Sequence, residues 1–391
     1  MPSRVPFDQL RYTCDPGVLG CRDSRGARPL QGILGQKRAL KALEFGLRIR
    51  NKGFNIYVSG HAGSGRKTAL RRYLQELARH QPTPPDWCYV NNFKDSYLPR
   101  ALSMPAGMAR EFSRDVDAFV ADARKEIVKV FESEQYAARR STTLKKFQEM
   151  RDELSGRISE NARKKGLLIQ VTPMGLMAIP MVDDKPITEE EFRMLDAKTR
   201  ETFARKQARL QEQLKKAGRQ MSALEKKTSD MILKLDRDVA AYTIDNLLED
   251  LLQKYRKQPG ILSFLKDMRG DMVDNLALFR GDDQKKEGQA ESPFVIDGEL
   301  RFKRYKVNVL VDNAGMKGAP IITELNPTYN NLFGRIEKEA QFGALVTDFT
   351  MIRPGSIHRG NGGYLILPVE DVLLNMFSYE SLKRAIRNRE I

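Results

Sequence analysis

The sequence feature that most constrains the fold is an apolar repeat between residues 210 and 235. Its members alternate four and three residues apart, which is the heptad pattern of a coiled-coil seam. They are Leu210, Leu214, Ala217, Met221, Leu224, Thr228, Met231 and Leu235. An earlier run of similar period contains Phe112, Val116, Phe119, Ala123, Ile127, Val130, Leu144, Phe147, Leu154 and Ile158. We therefore expect two long helices that pair with each other, and a seam of Leu, Met and Ala predicts packing rather than chemistry.

Two β-rich apolar stretches separate these helices and meet at Pro173-Met174-Gly175. Short strands around such a turn predict a β-hairpin near 167–182. The simplest geometry is an antiparallel helical arm, residues 108–280, with the hairpin at its tip. The turn is apolar, and methionines repack easily around different partners. The candidate contacts for unfolded polypeptide are therefore Met174, Leu176 and Met177.

The residues before the arm follow the order of an α/β domain. Leucines recur at helical spacing after a Gly-Gln turn, which predicts a helix within 31–51, and FNIYV at 54–58 predicts a buried strand. A glycine-rich loop, a basic helix from about Thr68 to His80 and a second strand at 87–93 follow. This order is typical of the opening of a doubly wound parallel sheet.

The α/β pattern returns near the end of the chain. Further helices are expected at 241–258 and 261–279, and the polar segment 281–293 is interpreted as a linker. Stretches rich in Val, Ile and Leu at 306–313 and 362–368 then predict strands buried on both faces.

The glycine-rich loop, GHAGSGRKT at 60–68, has the glycines of a phosphate-binding loop but not its residue order. Such a loop needs inward-turned backbone N–H groups, then a Lys for the β- and γ-phosphates and a Ser or Thr for Mg²⁺, all at the start of a helix. Counted from the glycines, Arg66 takes the lysine position and Lys67 the hydroxyl position. Counted from the pair Lys67-Thr68, Arg66 replaces the last glycine. The candidate nucleotide-binding residues are Gly35, Gln36, Gly60, Gly63, Gly65, Arg66, Lys67 and Thr68.

An arginine can still hold phosphate, but its planar guanidinium does not replace a compact ammonium, and a lysine cannot ligate Mg²⁺. Two interpretations stay open: a retained but weakened nucleotide site, or a glycine turn that packs a strand on a helix. We expect ATP with Mg²⁺ to bind weakly or not at all. No other cofactor and no metal site is expected.

Hydrolysis also needs an aspartate at the end of an apolar strand, followed by a glutamate that polarises water. Here the candidate strand, Gly363 to Leu367, is followed by Pro368 and Val369 instead. Glu370 and Asp371 come two residues late, where they fit the negatively charged first turn of a helix. We therefore expect no hydrolysis by this chain.

Composition narrows the class of protein. The 391 residues are 41% hydrophobic and 30% charged, which is typical of a soluble protein and not of a fibre or a disordered tail. Without a bilayer-length apolar run or a signal peptide, a cytoplasmic location is expected. The three cysteines and three histidines show no disulfide framework or zinc spacing. A net charge of +16 favours polyanions without choosing among them.

Several segments together resemble the AAA+ ATPases, and more closely the Lon-like proteases whose ATPase module carries a long helical insertion. These segments are ILGQKRALKALEFGL (33–47), GHAGSGRKT (60–68), DWCYVNNF (86–93), ITELNPTYNNLFGRIEKE (322–339) and TDFTMIRPGSIHRGNGGYLILPVEDVL (347–373). The resemblance covers nearly the whole chain. It implies an α/β fold: a partial AAA+ P-loop-type parallel sheet, with AAA+-like parts at 1–107 and 294–391, interrupted by the coiled-coil arm with its hairpin.

The resemblance also implies roles for individual residues. Gly35-Gln36 resembles the stretch that borders adenine in AAA+ modules. Tyr329 and Phe333 resemble a segment near the central pore of the family, although a packing role for both is equally open. Members of this group often carry Arg in the lysine position of the loop. Their degenerate branches are regarded as independent of ATP, and Pro368 places the chain closer to those branches.

Two departures from the family stand out. An AAA+ core has five parallel strands, of which this chain supplies about three, and Lon-like proteases end in a peptidase domain with a Ser-Lys dyad. Ser381 and Lys383 lie two residues apart on an expected helix and face different ways, so they do not form that dyad. No catalytic residue is assigned, and the chain is expected to be the N-terminal part of a larger protein. Arg353 and Arg359 are interpreted as loop arginines.

The leading hypothesis is an AAA+-derived, substrate-handling module of a Lon-like serine protease that acts in protein degradation. Its expected partners are unfolded polypeptides and further copies of itself in a ring, with no membrane. By itself the chain is expected to be neither a peptidase nor an ATPase. Two alternatives remain: a nucleic-acid-binding P-loop protein, although no RNP, helix-turn-helix or zinc-finger signature is present, or an inert scaffold from a truncated gene.

Overall fold

A computed structural model describes most of the chain. The described residues are 4–11, 13–26, 36–49, 54–61, 63–172, 175–182, 185–186, 197–280, 298–341 and 344–391. The linker predicted at 281–293 lies outside them. The chain forms two compact units: unit 1 is Met1–Pro84, Met316–Phe333 and Arg359–Ile391, and unit 2 is Pro85–Gly315 and Gly334–His358.

Helices dominate the described residues. The α-helices are α1 (Lys37–Arg48), α2 (Arg66–Arg79), α3 (Met108–Phe131), α4 (Glu134–Lys164), α5 (Ala197–Lys254), α6 (Pro259–Asp274), α7 (Leu276–Arg280), α8 (Gly298–Phe302), α9 (Tyr329–Phe333), α10 (Ser356–Arg359), α11 (Val369–Leu374) and α12 (Ser378–Asn388). The strands are β1 (Asp86–Val90), β2 (Arg100–Met104), β3 (Leu167–Thr172), β4 (Gly175–Val182), β5 (Lys185–Pro186), β6 (Val307–Val311), β7 (Ile321–Thr323), β8 (Arg335–Ile336), β9 (Glu339–Gln341), β10 (Ala344–Val346), β11 (Ile352–Arg353) and β12 (Tyr364–Ile366).

Unit 2 is built on an antiparallel sheet of order β2, β1, β6. α3 packs on β6, and its other faces meet α5 and α7. The apolar residues that recur in α3 at helical spacing are buried in this core, as predicted for that part of the first periodic run. They are Phe112, Val116, Phe119, Ala123 and Ile127.

A buried carboxylate connects three elements of this core. Asp86, at the start of β1, is fully buried. Its Oδ2 accepts a 3.0 Å hydrogen bond from the Ala109 N–H at the start of α3, and its Oδ1 accepts a 2.7 Å bond from the Asn313 N–H just after β6. Because buried N–H groups need partners, this carboxylate fixes the α3 start against the sheet.

The paired helices and the hairpin are confirmed. α4 and α5 pack together, and they run antiparallel because Tyr136 near the start of α4 meets Asp236, whereas Asn161 near its end meets Gln213. β3 and β4 form the predicted antiparallel hairpin, with Thr172 opposite Gly175. Where the hairpin joins the helices, an apolar cluster contains Ala162, Leu167, Leu210 and Leu214.

Two details of the periodic prediction are wrong. The helix expected to begin at 241 is the last part of α5, which continues unbroken from Ala197 because no Gly or Pro interrupts residues 236–240. The second detail is the seam itself: Met231 and Leu144 were predicted to lie in it, but they are 51% and 42% exposed. The repeat itself continues past Met231, because Thr228 before it is buried and Leu235 after it is half-buried.

Unit 1 contains the parallel strands. β7 and β12 pair in parallel, with Ile321 opposite Tyr364. α2 packs against β7, and the Ala319 N–H donates a 3.0 Å hydrogen bond to the carbonyl of Ala78 at the end of α2. Gly318, at φ +96, has no room for a side chain there, because a Cβ would overlap that same carbonyl oxygen.

Two strand predictions need correction. Residues 54–58 form no strand, and Phe54, Ile56, Tyr57 and Val58 are 39–73% exposed. Among the described residues no strand pairs with this segment, so it has no ladder of sheet hydrogen bonds. Its Phe54 and Ile56 side chains approach Gly46 of α1. The strand expected at 87–93 does form, as β1, but it ends at Val90 and pairs antiparallel in unit 2.

The parallel sheet of the resemblance is therefore small and lies in unit 1, as β7 and β12. β12 is half-buried rather than buried on both faces as predicted, because it has one described neighbour strand. Unit 2 begins at Pro85, before the predicted start of the arm at 108, since β1 and β2 belong with the arm helices. The combination of a small parallel sheet with a large helical insertion agrees with the predicted partial AAA+ fold.

Candidate functional site

The glycine-rich loop leads directly into α2. Gly63 and Gly65 have left-handed backbone angles, with φ of 79° and 75°, and Gly65 is the N-cap of the helix. The Ser64 N–H and hydroxyl both donate to the His61 carbonyl, at 3.3 Å and 2.8 Å, which closes the turn. α2 begins at Arg66, so this geometry corresponds to the register counted from the glycines.

The loop is open to solvent. A Cβ added at Gly63 or Gly65 would meet no atom within 4 Å, and residues 63–68 are all exposed. The first turn of α2 contains no acidic residue, and its first two residues are Arg66 and Lys67. Backbone N–H groups at the start of a helix favour an anion, so phosphate could approach here.

The side chains that follow the loop are those of Arg66, Lys67 and Thr68. The stem of Arg66 lies against the loop, since its Cδ would be 3.1 Å from a Cβ at Gly60. Lys67 follows at the position where a hydroxyl would bind Mg²⁺, and an ammonium cannot be a metal ligand. Thr68 is the third residue of the helix. Of the two residues assigned to the adenine border, Gly35 lies outside the described part of the chain, and Gln36 is the N-cap of α1 at φ 51.

The second acidic motif is displaced onto a helix. Pro368 is the N-cap of α11, and Glu370 and Asp371 lie in the first turn of that helix. The strand before them, β12, ends at Ile366. Both carboxylates therefore lie in the predicted helix turn, after Pro368 and Val369, and not directly after the strand.

The residues predicted to contact unfolded polypeptide differ in how exposed they are. The Tyr329 and Phe333 rings stack, with centroids 5.0 Å apart, but Tyr329 is 48% exposed and Phe333 is buried. Of these two rings, Tyr329 is the one with a surface exposed to solvent. Met174 lies outside the described residues, and Leu176 and Met177 lie in β4 opposite Val171 and Gln170, with side chains that the structure does not describe.

Ser381 and Lys383 have different partners and do not form a dyad. Ser381 is buried and accepts a 3.2 Å hydrogen bond from Arg384, whereas Lys383 pairs with Glu380 at 2.7 Å. The described residues contain no group of three or more His, Cys, Asp or Glu that could hold a metal ion. None of their helices combines the length and the apolar character needed to cross a membrane.

Arg353 and Arg359 also have carboxylate partners. Arg353 lies in β11, where its Nε is 2.7 Å from Glu337, and Arg335 approaches the same carboxylate at 2.9 Å. Hydrogen bonds from these two arginines lower the pKa of Glu337. Arg359 lies 3.8 Å from Glu324.

A groove on the arm was not predicted. It lies between α4 and α5 and has a volume of about 220 Å³. Its lining residues are Leu154, Arg157, Ile158, Asn161, Gln213, Lys216, Ala217 and Gln220. The seam prediction contained the apolar members of this set, but a seam pattern does not show where two helices leave a gap.

Comparison with protein families gives two matches. Residues 317–391 match the model of a LonB-like AAA domain, and residues 86–119 match the model of the Lon-like LonC helical domain. The first segment contains β7, β12 and the displaced acidic motif, and the second contains β1, β2 and the first half of α3. No curated protein matches the chain.

Proposed function

Since the chain is a member of the Lon-like protease family, we propose that it is an AAA+-derived module that handles unfolded polypeptide substrates for protein degradation. The module binds nucleotide weakly or not at all and does not hydrolyse it. It works in the cytoplasm as part of a homo-oligomeric ring, and neither peptidase nor ATPase activity is assigned to its own residues.

The observation that carries the nucleotide part of the proposal is the residue order at the start of α2. Arg66 and Lys67 follow Gly65 there, so neither a compact ammonium nor a hydroxyl stands where the triphosphate and Mg²⁺ require them. The loop keeps open backbone N–H groups, which supports weak anion binding.

The absence of hydrolysis is supported by the second motif. A water-activating site needs a carboxylate directly after the strand, and Pro368 and Val369 follow β12 before the first acid. Glu370 and Asp371 instead lie in the first turn of α11, where their negative charge interacts favourably with the positive end of the helix dipole. Each acid therefore has a structural role in that helix.

The substrate-handling part is supported by the arm. α4 and α5 form a long antiparallel pair that ends in the hairpin. The hairpin turn contains methionine, which suits promiscuous apolar contact. The exposed ring of Tyr329 offers a second contact.

Two binding measurements test the proposal. Replacement of Met174, Leu176 and Met177 by Ser should weaken the binding of denatured casein at least severalfold, whereas Met150→Ser, an exposed methionine elsewhere on the arm, should leave it unchanged. Isothermal titration with ATP and Mg²⁺ should show weak binding or none, and Lys67→Ala is its control. Unchanged casein binding would contradict substrate handling, and submicromolar ATP affinity would contradict the nucleotide part.

A further inference from the structure

Within the arm, positive charge is concentrated on the two helices that pair with each other, because the rest of residues 108–280 has a net charge of −5. Residues 134–164 and 197–235 contain 19 Lys or Arg and 9 Asp or Glu, which is a net +10 of the +16 carried by the whole chain. Such excess is often only a solvated helix face. On α5, however, four of the cations are arranged in a regular line.

Four exposed cations form a line along α5. Arg209, Lys216, Lys227 and Lys234 are spaced by 7, 11 and 7 residues, which is close to two, three and two turns of a helix. We call these four residues the basic stripe. It extends for about 37 Å at the rise of an α-helix. Lys216 lies 3.4 Å from Glu212, and the other three have no carboxylate partner among the described residues.

The basic stripe borders the groove between α4 and α5. Lys216 belongs to both, and Arg157 lies across the groove on α4. The floor between these two cations is apolar and contains Leu154, Ile158 and Ala217. Arg157 and Lys216 are 74% and 71% exposed, and each pairs only with a carboxylate four residues away on its own helix. Pairs of this kind are weak, so both cations can exchange partners.

The amides of Asn161, Gln213 and Gln220 complete the lining. Amides can donate to and accept from an extended backbone. The groove therefore offers three kinds of contact: an apolar floor, cationic edges and amide hydrogen bonds. An extended polypeptide with apolar and acidic side chains is complementary to all three.

A nucleic acid is complementary to the cations alone. Its backbone offers no apolar side chain for the floor, and single strands bind mainly by stacking bases on exposed aromatic rings. Among the side chains described for α4 and for α5 as far as Lys234, Tyr136 is buried and Phe147 is half-buried, and the exposed ring of Tyr242 lies on α5 beyond the basic stripe. These observations favour polypeptide over nucleic acid.

We propose that the groove and the basic stripe bind acidic, extended segments of unfolded polypeptide, and so select acidic substrates. This inference rests on the proposed function and adds a substrate class to it. Electrostatic attraction along the stripe speeds encounter, and the apolar floor holds the segment once it has docked.

Three fluorescent 20-residue peptides test the selection on the full chain. They share the same apolar residues and carry Glu, Gln or Lys at the remaining positions. Fluorescence anisotropy at about 50 mM salt should show the Glu peptide binding about tenfold more tightly than the Lys peptide, and the difference should shrink at about 300 mM salt as charges are screened.

Charge-neutralising variants locate the site. Arg157→Gln with Lys216→Gln should weaken the Glu peptide about fivefold, since each exposed ion pair strengthens binding about two- to threefold. The matched control is Lys145→Gln with Arg163→Gln, which removes the same two charges from exposed positions on α4 about a third of a turn from Arg157, away from the groove. It should leave the affinity of the Glu peptide within about twofold.

The outcomes separate this inference from the proposed function. Equal binding of all three peptides, with no effect of the groove variant, would overturn the acidic selection and leave polypeptide handling intact. Failure of every peptide and of casein to bind would overturn both. A 20-base-pair DNA duplex that binds more tightly than the Glu peptide, and loses affinity in the groove variant, would make nucleic acid the occupant and overturn the inference.

Discussion

The Tyr136 hydroxyl donates a 2.6 Å hydrogen bond to Oδ1 of Asp236, and this bond joins the first turn of α4 to a residue of α5 100 positions later. The other oxygen of Asp236 lies 3.1 Å from Arg280 of α7. The Tyr136 ring also meets Phe131 edge-on, with centroids 4.8 Å apart, and the Arg280 guanidinium lies over Phe131. Three helices and the end of α3 are therefore held at the base of the arm by one cluster.

Tyr136→Phe should loosen the base of the arm. The variant keeps the ring contact with Phe131 but removes the hydroxyl bond to a carboxylate, which costs about 1.5–3 kcal/mol. Hydrogen exchange of the α4 and α5 amides near the base should accelerate. Tyr242→Phe is the control, because Tyr242 is 71% exposed on α5 and should show no change. Equal exchange in both variants would mean that the bond does not hold the arm.

Asp86→Ala should destabilise unit 2. The variant leaves the Ala109 and Asn313 N–H groups buried without their carboxylate acceptor, and each unsatisfied group costs about 1–3 kcal/mol. Urea denaturation should therefore show a loss of about 2–4 kcal/mol in the free energy of unfolding. Asp122→Ala, on an exposed face of α3, should change it by less than about 0.5 kcal/mol.

Cys88 should be inert to thiol reagents in the folded protein. Burial, together with the nearby Asp86 charge, raises the pKa of its thiol to about 12, so only about one molecule in ten thousand carries the thiolate at pH 8. N-ethylmaleimide at pH 8 should modify Cys14 and Cys21, which are not buried, well before Cys88. Peptide mass spectrometry would detect this order, and early modification of Cys88 would contradict it.

The same thiol makes stability depend on alkaline pH. Its folded pKa lies above the ordinary value of 9.0, so its contribution is complete below pH 9 and is lost as the pH rises from 9 towards 12. Cys88→Ala should remove this part of the decline. The urea midpoints of both proteins at pH 8 and pH 10 would measure the difference.

His358 should make the protein sensitive to acid. Burial lowers the pKa of His358, and its Nδ1 accepts a 3.1 Å hydrogen bond from the Gly355 N–H, which requires that nitrogen to be unprotonated. Because the folded pKa is depressed, this contribution is present above the ordinary pKa of 6.5 and is lost as the pH falls through the folded value.

His358→Gln should therefore reduce the difference in urea midpoint between pH 7.5 and pH 5. Glutamine has no proton to gain in this range, so the variant loses the acid-dependent part alone. His61→Gln, at an exposed loop position, should keep the parental difference. If His358→Gln kept the same difference in urea midpoint as the parent protein, groups other than His358 would cause the acid sensitivity.

Periodicity predicted the arm well because local pattern determines it. The spacing of Leu210 and Leu214 required a buried seam, and both residues are buried. The hairpin followed from two short apolar runs around Pro173, and its register places Thr172 opposite Gly175. Sequence patterns of this kind act over a few residues, which is the range in which propensity and turn chemistry decide structure.

Pairing between distant residues could not be predicted in the same way. The apolar strand β1 could have joined a parallel or an antiparallel sheet, since a run such as Trp87 to Val90 does not encode the direction of its partner. Residues 54–58 are apolar enough for a strand but find no described partner. The bond between Tyr136 and Asp236 spans 100 positions and carries no local signature. For the candidate site, the residue order at Arg66 and Lys67 was visible in the sequence, whereas the groove on the arm required the packing of two helices.

Binding of a permanently unfolded polypeptide, measured with and without ATP and Mg²⁺, addresses the proposed function at its centre. Carboxymethylated casein labelled with a fluorophore can be titrated with the full chain and followed by anisotropy. We predict measurable binding with the same affinity in both conditions, because the proposal assigns no working nucleotide site to the loop before Arg66 and the residues after Pro368. Binding that appears only with ATP, or no binding in either condition, would contradict it.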